Sequence, residues 1–315
     1  MKRSTAMMLL LVGRLIVASS MGDSIRVSFL EDARARESTL ELLQQAGCPE
    51  DDVNVLRRAI AHYYQTPFNY NLSAFPTPED GFYEFALVDD FVSALSTNRL
   101  SEIEHMFELN CLDTALLIAG HDMDITADFT EMGSPYLAIC TFTNRALWLV
   151  PVSSLRDAYN TIYPEWYQRF RDNLSGREPS VKYKAMAACL FQYHALPIDT
   201  SESDMGLVLS RSLRQHWTRC GIQFPTSMLI TMLHRARTDH HVAVSDHFGV
   251  LIKTDKGYMY LEKAGGQGPF LRIDTKQIEN IAIYYSTMIS PDYPYNYMTI
   301  GHDVMLEVKR IPALD

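Results

Sequence analysis

The chain lacks several features that would assign it quickly. Its five cysteines, Cys48, Cys111, Cys140, Cys189 and Cys220, form no close pair of the metal-binding kind. Lysine and arginine total 28 against 38 acidic residues, a formal net charge of −10. No basic cluster is dense enough to give nucleic acid an electrostatic footprint. Beyond the N-terminal segment, no apolar run is long enough to cross a membrane. Internal repeats and low-complexity tracts are also missing.

What is present is enough apolar material for a sizeable core. Hydrophobic residues make up 47 % of 315 residues, sufficient for one large domain or two modest ones. Residues 1–20 read as an export signal. Lys2 and Arg3 give a charged start, Ala6 to Val12 is apolar, and Ala18-Ser19-Ser20 offers small residues for cleavage, although Arg14 interrupts the pattern. The expected location is therefore extracytoplasmic, periplasmic or secreted. No cysteine stands near the cleavage point to carry a lipoprotein anchor. An odd cysteine count in an exported chain leaves at least one thiol outside intramolecular disulfides. Two disulfides plus a free nucleophile fit, and so do four buried thiols plus a reactive one.

Cys111 is the cysteine with a telling context, Asn110-Cys111-Leu112-Asp113-Thr114-Ala115-Leu116. Asn110 is a good N-cap, and Asp113 resembles the acidic partner of a capping box. Leu112, Ala115, Leu116 and Ala119 recur at helical spacing, and Gly120 is a plausible stop. A helix therefore begins at the cysteine. The positive end of a helix dipole favours a thiolate placed there, the nucleophilic form of cysteine.

The flanking pattern is helical before residue 220 and strand-like after 225. Ser38-Thr39-Leu40-Glu41 reads as a capping box, and Pro49 opens a helix with Val53, Leu56, Ile60 and Tyr63 on one stripe. Further helices are expected around 87–95, 155–170, 181–195 and 207–217, with either a strand pair or a buried segment over 136–151 and a polar loop over 172–180. Strands are expected at 228–233, 242–253, 257–263, 270–273 and 298–311, with a helix over 275–288. Residues 21–315 thus form a single α+β domain, with a helical part over about 36–220 and an antiparallel sheet over about 225–311.

His247 stands in the second part, in Asp246-His247-Phe248-Gly249-Val250-Leu251-Ile252. Phe248, Val250 and Ile252 alternate with His247, Gly249 and Leu251, so the imidazole takes the face opposite Phe248. Thr254-Asp255-Lys256-Gly257 is a turn signal. If Asp255 and Lys256 form a two-residue loop, Gly249 lies opposite Glu262, and Glu262 joins His247 on one face at a diagonal position. A nucleophile, a base and a carboxylate that orients the base are the parts of a catalytic triad. The alternative for Glu262-Lys263 is a solvated edge pair.

These residues carry a resemblance. Ser38 to Ala46, Phe68-Asn69-Tyr70-Asn71, Asn110-Cys111, Ser227 to Leu233, His247 to Leu251, Tyr260 to Lys263 and Pro269-Phe270 are similar to the bacterial domain-of-unknown-function family 4300. The likeness spans roughly residues 38–290. It implies an exported bacterial protein with a papain-like, NlpC-type α+β fold, its nucleophile helix packed on the sheet, and it carries over Cys111, His247 and Glu262 as the catalytic group. The sequence departs from the pattern at Leu112, where a basic residue is expected, at Asp246, where glycine is, and at Leu271, where a polar residue is.

Rival signals are weaker. His234, His240 and His241 with His247 have no common zinc spacing. The glycine-rich 264–268 precedes a strand rather than a helix, so it is a poor phosphate loop. No metal and no cofactor are expected. The sequence supports a secreted cysteine amidase or peptidase acting through a thioester, on cell-wall peptide or another amide. The alternative is a non-catalytic extracytoplasmic binding or interaction protein that retains the fold.

Overall fold

The computed structural model describes residues 24–65, 75–76, 78–97, 109, 111–126, 186, 190, 196–238, 241–264, 268–289 and 293–309, and residues 136–140 and 147–151 as backbone strands. The export-signal segment, Asn110, the expected helix at 155–170, most of that at 181–195, the loop at 172–180, Cys189 and His240 lie outside the described residues.

Strand β1 (Ile25–Ser28) leads into α1 (Ala33–Gln45). Asp32 caps this helix, its carboxylate accepting from the N–H groups of Arg34 and Ala35 at 2.8 and 3.1 Å. The capping box expected at Ser38 is therefore displaced. Ser38 and Thr39 sit within the helix and donate their hydroxyls to the Ala35 carbonyl at 2.9 and 2.7 Å. Nothing between Ala33 and Glu37 breaks a helix, so it extends back to the first side chain able to cap it.

Helix α2 (Glu50–Gln65) follows Pro49, with Glu50, Asp51 and Asp52 in its first turn and Val53, Leu56, Ile60 and Tyr63 buried on one stripe. Then come β2 (Tyr83–Phe85), α3 (Val88–Thr97) and α4 (Cys111–Ala119), which tightens into a 3₁₀ turn over Gly120–Asp122. The strand pair is present as β3 (Tyr136–Cys140) and β4 (Leu147–Pro151).

After β5 (Leu196–Pro197), helix α5 (Met205–Cys220) is capped by Asp204. Four strands follow, β6 (Met228–Arg237), β7 (Val242–Thr254), β8 (Gly257–Lys263) and β9 (Phe270–Thr275). Helix α6 (Glu279–Tyr285), β10 (Tyr295–Ile300) and β11 (Val304–Glu307) complete the described chain. The single strand expected over 298–311 is instead a hairpin. It reverses after Ile300 through Gly301, whose φ of +53° suits a residue without a Cβ.

Nine strands form one sheet in the order β11-β10-β6-β7-β8-β9-β1-β2, with β5 against β7, and every pairing is antiparallel. Helices beside a large antiparallel sheet make the fold α+β. The helical and sheet parts are interleaved rather than consecutive, because β1, β2 and β5 come from the earlier half. Arg272 ties the halves together. It grips Asp274 through two 2.8 Å bonds and donates to Thr39 of α1 at 3.0 Å.

Both faces of the sheet are covered. Phe248, Val250, Ile252, Met259, Leu261 and Phe270 pack with α1, α2, α4 and α5 in one core. Leu233, Leu251, Tyr260, Leu271 and Ile273 pack with α3 and α6 in the other. Strand alternation assigns successive residues of β7 and β8 to these two cores in turn.

Candidate active site

The hairpin of β7 and β8 sets the geometry. Thr254 pairs with Gly257, so Asp255 and Lys256 are its two loop residues. Gly249 consequently faces Glu262, and Leu251 faces Tyr260. His247, two residues before Gly249, lies diagonally across from Glu262 on the same face. Its Nε2 is 2.5 Å from Glu262 Oε2.

Strand β7 carries one irregularity, and it adjoins the histidine. Leu233 pairs with His247, but His234 pairs with Ser245, so Asp246 is an extra residue. Such a bulge bends a strand and re-aims the neighbouring side chain. The imidazole thus contacts both layers. It meets Tyr285 of α6 edge-on at 5.3 Å, and the Cys111 side chain at the start of α4 interacts with it electrostatically.

Glu262 is completely buried, yet its carboxylate is well supplied with donors. Besides His247, Tyr284 Oη donates to Oε1 at 2.5 Å, and the Tyr260 hydroxyl donates to Oε2. A bare carboxylate in such a place would be strongly disfavoured, so the pairing and the phenols are what allow it there. Gly249 leaves space for this arrangement. A Cβ at that position would come within 2.4 Å of the Tyr260 ring and hydroxyl.

Burial pulls the His247 imidazole down, but the Glu262 carboxylate bonded to it and the neighbouring Cys111 outweigh that and push it up to about 10. Imidazolium is accordingly the form the surroundings favour. Burial pushes the Tyr260, Tyr284 and Tyr285 hydroxyls well above the ordinary phenol range, reinforced by the Glu262 charge, so all three keep their protons and act as donors.

Lys263 is not part of a solvated edge pair. It is completely buried, its ammonium donating to the Gly268 carbonyl and lying 4.6 Å from the Tyr63 ring and 5.3 Å from that of Phe270. Burial pulls its amine down to about 7, against the charges of Cys111 and Glu262, which raise it. A lysine directly after Glu262 takes the opposite face of the strand, which a single-sided sheet would have exposed. The second helical layer reverses that outcome.

His234 and His241 are otherwise engaged. His234 is buried between Thr299 Oγ1 and Ser245 Oγ, each 2.7 Å away, and burial pulls it down to about 3. His241 is 2.5 Å from Thr200 Oγ1. Among the described residues, no group of three or more histidine, cysteine or acidic side chains is placed to hold a metal ion. No helix of the described residues is long and apolar enough to cross a membrane.

Tyr260, two residues before Glu262 on β8, shares its face by the strand period, but no such period links Tyr284 and Tyr285 to Glu262. Both approach from α6, and only the fold brings that helix over β8. Cys48 and Cys111 are buried and outside any disulfide. Cys220 Sγ lies 3.3 Å from His216 Nε2 on the same helix.

No curated protein and no solved structure matches the chain. Residues 186–291, the stretch that holds His247 and Glu262 but begins after Cys111, match the family model described as Domain of unknown function (DUF4300).

Proposed function

We propose that the protein is an extracytoplasmic cysteine amidase or peptidase of papain-like, NlpC-type architecture, with Cys111 as nucleophile, His247 as acid and base, and Glu262 as the group that orients His247. One observation carries the reading: the buried His247 imidazole is bonded to the buried Glu262 carboxylate and interacts electrostatically with Cys111 at the start of α4. A structural cysteine needs no such partner, and a buried ion pair is costly unless something is gained from it.

The chemistry follows from the charges. The Cys111 thiolate attacks the acyl carbon of an amide, forming a C–S bond and a tetrahedral oxyanion. The Cys111 backbone N–H, in the first turn of α4, is placed to donate to that oxyanion. Collapse breaks the C–N bond as the His247 imidazolium gives its proton to the leaving amine. Neutral His247 then takes a proton from water, whose oxygen attacks the thioester and releases a carboxylic acid and the Cys111 thiolate. Glu262 holds the ring in place throughout.

Cell-wall peptide is the substrate class proposed, by analogy with the architecture. Incubation with purified peptidoglycan tests this. The hydrolase reading expects new free amino groups and peptides, absent with Cys111→Ala. Retention on peptidoglycan without cleavage, equal in both proteins, would instead support the binding-protein alternative.

A further inference from the structure

Two hydroxyls bond the carboxylate of Glu262, and two more extend the network over three elements. Tyr284 Oη gives its single proton to Oε1. Tyr260 Oη donates to Oε2. Tyr260 Oη is also the donor toward Tyr285 Oη, 3.0 Å away, so its one proton is shared between the two acceptors. Thr231 Oγ1 is 2.8 Å from Tyr285 Oη, and either hydroxyl can donate there.

We propose that Tyr284, Tyr260, Tyr285 and Thr231 are positioning residues for the proposed reaction, a hydroxyl cascade that orients the Glu262 carboxylate toward His247. The proposal rests on the hydrolase reading for its catalytic meaning, but its electrostatic content stands alone. Burial removes water, and these donors replace it. The titratable groups around Glu262 are His247 from β7, Tyr260 and Lys263 from β8, and Tyr284 and Tyr285 from α6. Cys111 of α4 joins them through His247. Of these, only the phenols are neutral donors that stabilise the carboxylate without adding a charge.

The cascade predicts a graded series. Removing a hydroxyl at the carboxylate should matter most, and removing one farther along should matter less. The experiment follows the His247 ring through a pH titration by NMR in the unsubstituted protein and in Tyr284→Phe, Tyr260→Phe, Tyr285→Phe and Thr231→Val. The expected result is a downward movement of the His247 midpoint by about one unit for Tyr284→Phe and Tyr260→Phe, a tenfold change in the imidazolium equilibrium. Smaller shifts of the same sign are expected for Tyr285→Phe and Thr231→Val.

The pH profile of Cys111 alkylation should move with the His247 midpoint. Midpoints unchanged in folded Tyr284→Phe and Tyr260→Phe would overturn the proposal and leave the tyrosines as packing. If those two variants fail to fold, Thr231→Val decides, because its hydroxyl bonds Tyr285 rather than either member of the Glu262–His247 pair; an unmoved midpoint there is equally fatal. An inert Cys111 in the unsubstituted protein would sink the hydrolase reading alone, since the His247 titration reads the cascade without any reaction.

Discussion

His247 and Glu262 are held 2.5 Å apart by strands that place them diagonally on one sheet face, and both are almost wholly removed from solvent. Glu262→Gln keeps the shape and removes the charge. The imidazole then retains its burial without its main compensation, so its titration midpoint should fall below the ordinary histidine value of 6.5. Breaking one partner of a buried pair costs about 3–5 kcal/mol. Urea unfolding at neutral pH measures that loss, and an NMR titration of the His247 ring measures the shift.

Two buried groups should oppose each other in the pH dependence of stability. His247 is raised from 6.5 to about 10 on folding, so its contribution is complete below pH 6.5 and fades as pH rises to about 10. Lys263 is lowered from 10.5 to about 7, so its penalty is present at low pH and disappears as pH rises toward 10.5. Each slope is at most about 1.4 kcal/mol per pH unit, and between about pH 7 and 10 they have opposite sign. Their joint contribution should be close to flat across that window. Lys263→Met removes one slope, and its unfolding free energy should decline steadily from pH 7 to 10. Denaturant titrations at several pH values compare the two proteins.

On the acid side His234 should dominate the histidine contribution. Its folded value lies near 3 because it is buried neutral between Ser245 and Thr299. Stability from this residue is present above pH 6.5 and is lost as pH falls toward 3, again by at most about 1.4 kcal/mol per unit. His234→Gln, with its two ends still polar, should flatten that limb in acid-unfolding curves monitored by circular dichroism.

Gly249→Ala tests the packing beneath the site. The added methyl would meet the Tyr260 ring and hydroxyl at 2.4 Å, and Tyr260 is fully buried beside Glu262. Overpacking of this kind costs about 1–3 kcal/mol. The displaced phenol should also lower the His247 midpoint. Thermal unfolding together with the ring titration checks both effects.

Much of this site could be read along the chain because it lies on two adjacent strands with a short turn. The spacing of His247, Gly249, Thr254-Asp255-Lys256-Gly257 and Glu262 determines register once the loop length is known, and a two-residue loop is what the hairpin has. Cys111 was legible from its helix pattern alone, since α4 begins at that residue. What could not be read depends on layers. Lys263 looked solvated because alternation says which face a residue takes, not whether that face is covered. Tyr284 and Tyr285 belong to a helix whose position over β8 no local pattern encodes. Strands β1 and β2 join the sheet edge through pairings with β9 and with each other, which are equally non-local. The bulge at Asp246 is a backbone event, and the sequence showed it only as a departure from an expected glycine.

The most direct measurement is the rate of iodoacetamide modification at each cysteine near neutral pH, read by peptide mass spectrometry in the unsubstituted protein and in His247→Ala. Cys48 is an internal reference, a buried thiol that desolvation and the charges of Asp52 and Asp122 push up to about 12. Cys111, at the start of α4 and coupled electrostatically to His247, should be modified at least tenfold faster than Cys48, and His247→Ala should abolish most of that advantage. Modification of Cys111 no faster than Cys48, or a rate indifferent to His247→Ala, would contradict its assignment as a nucleophile.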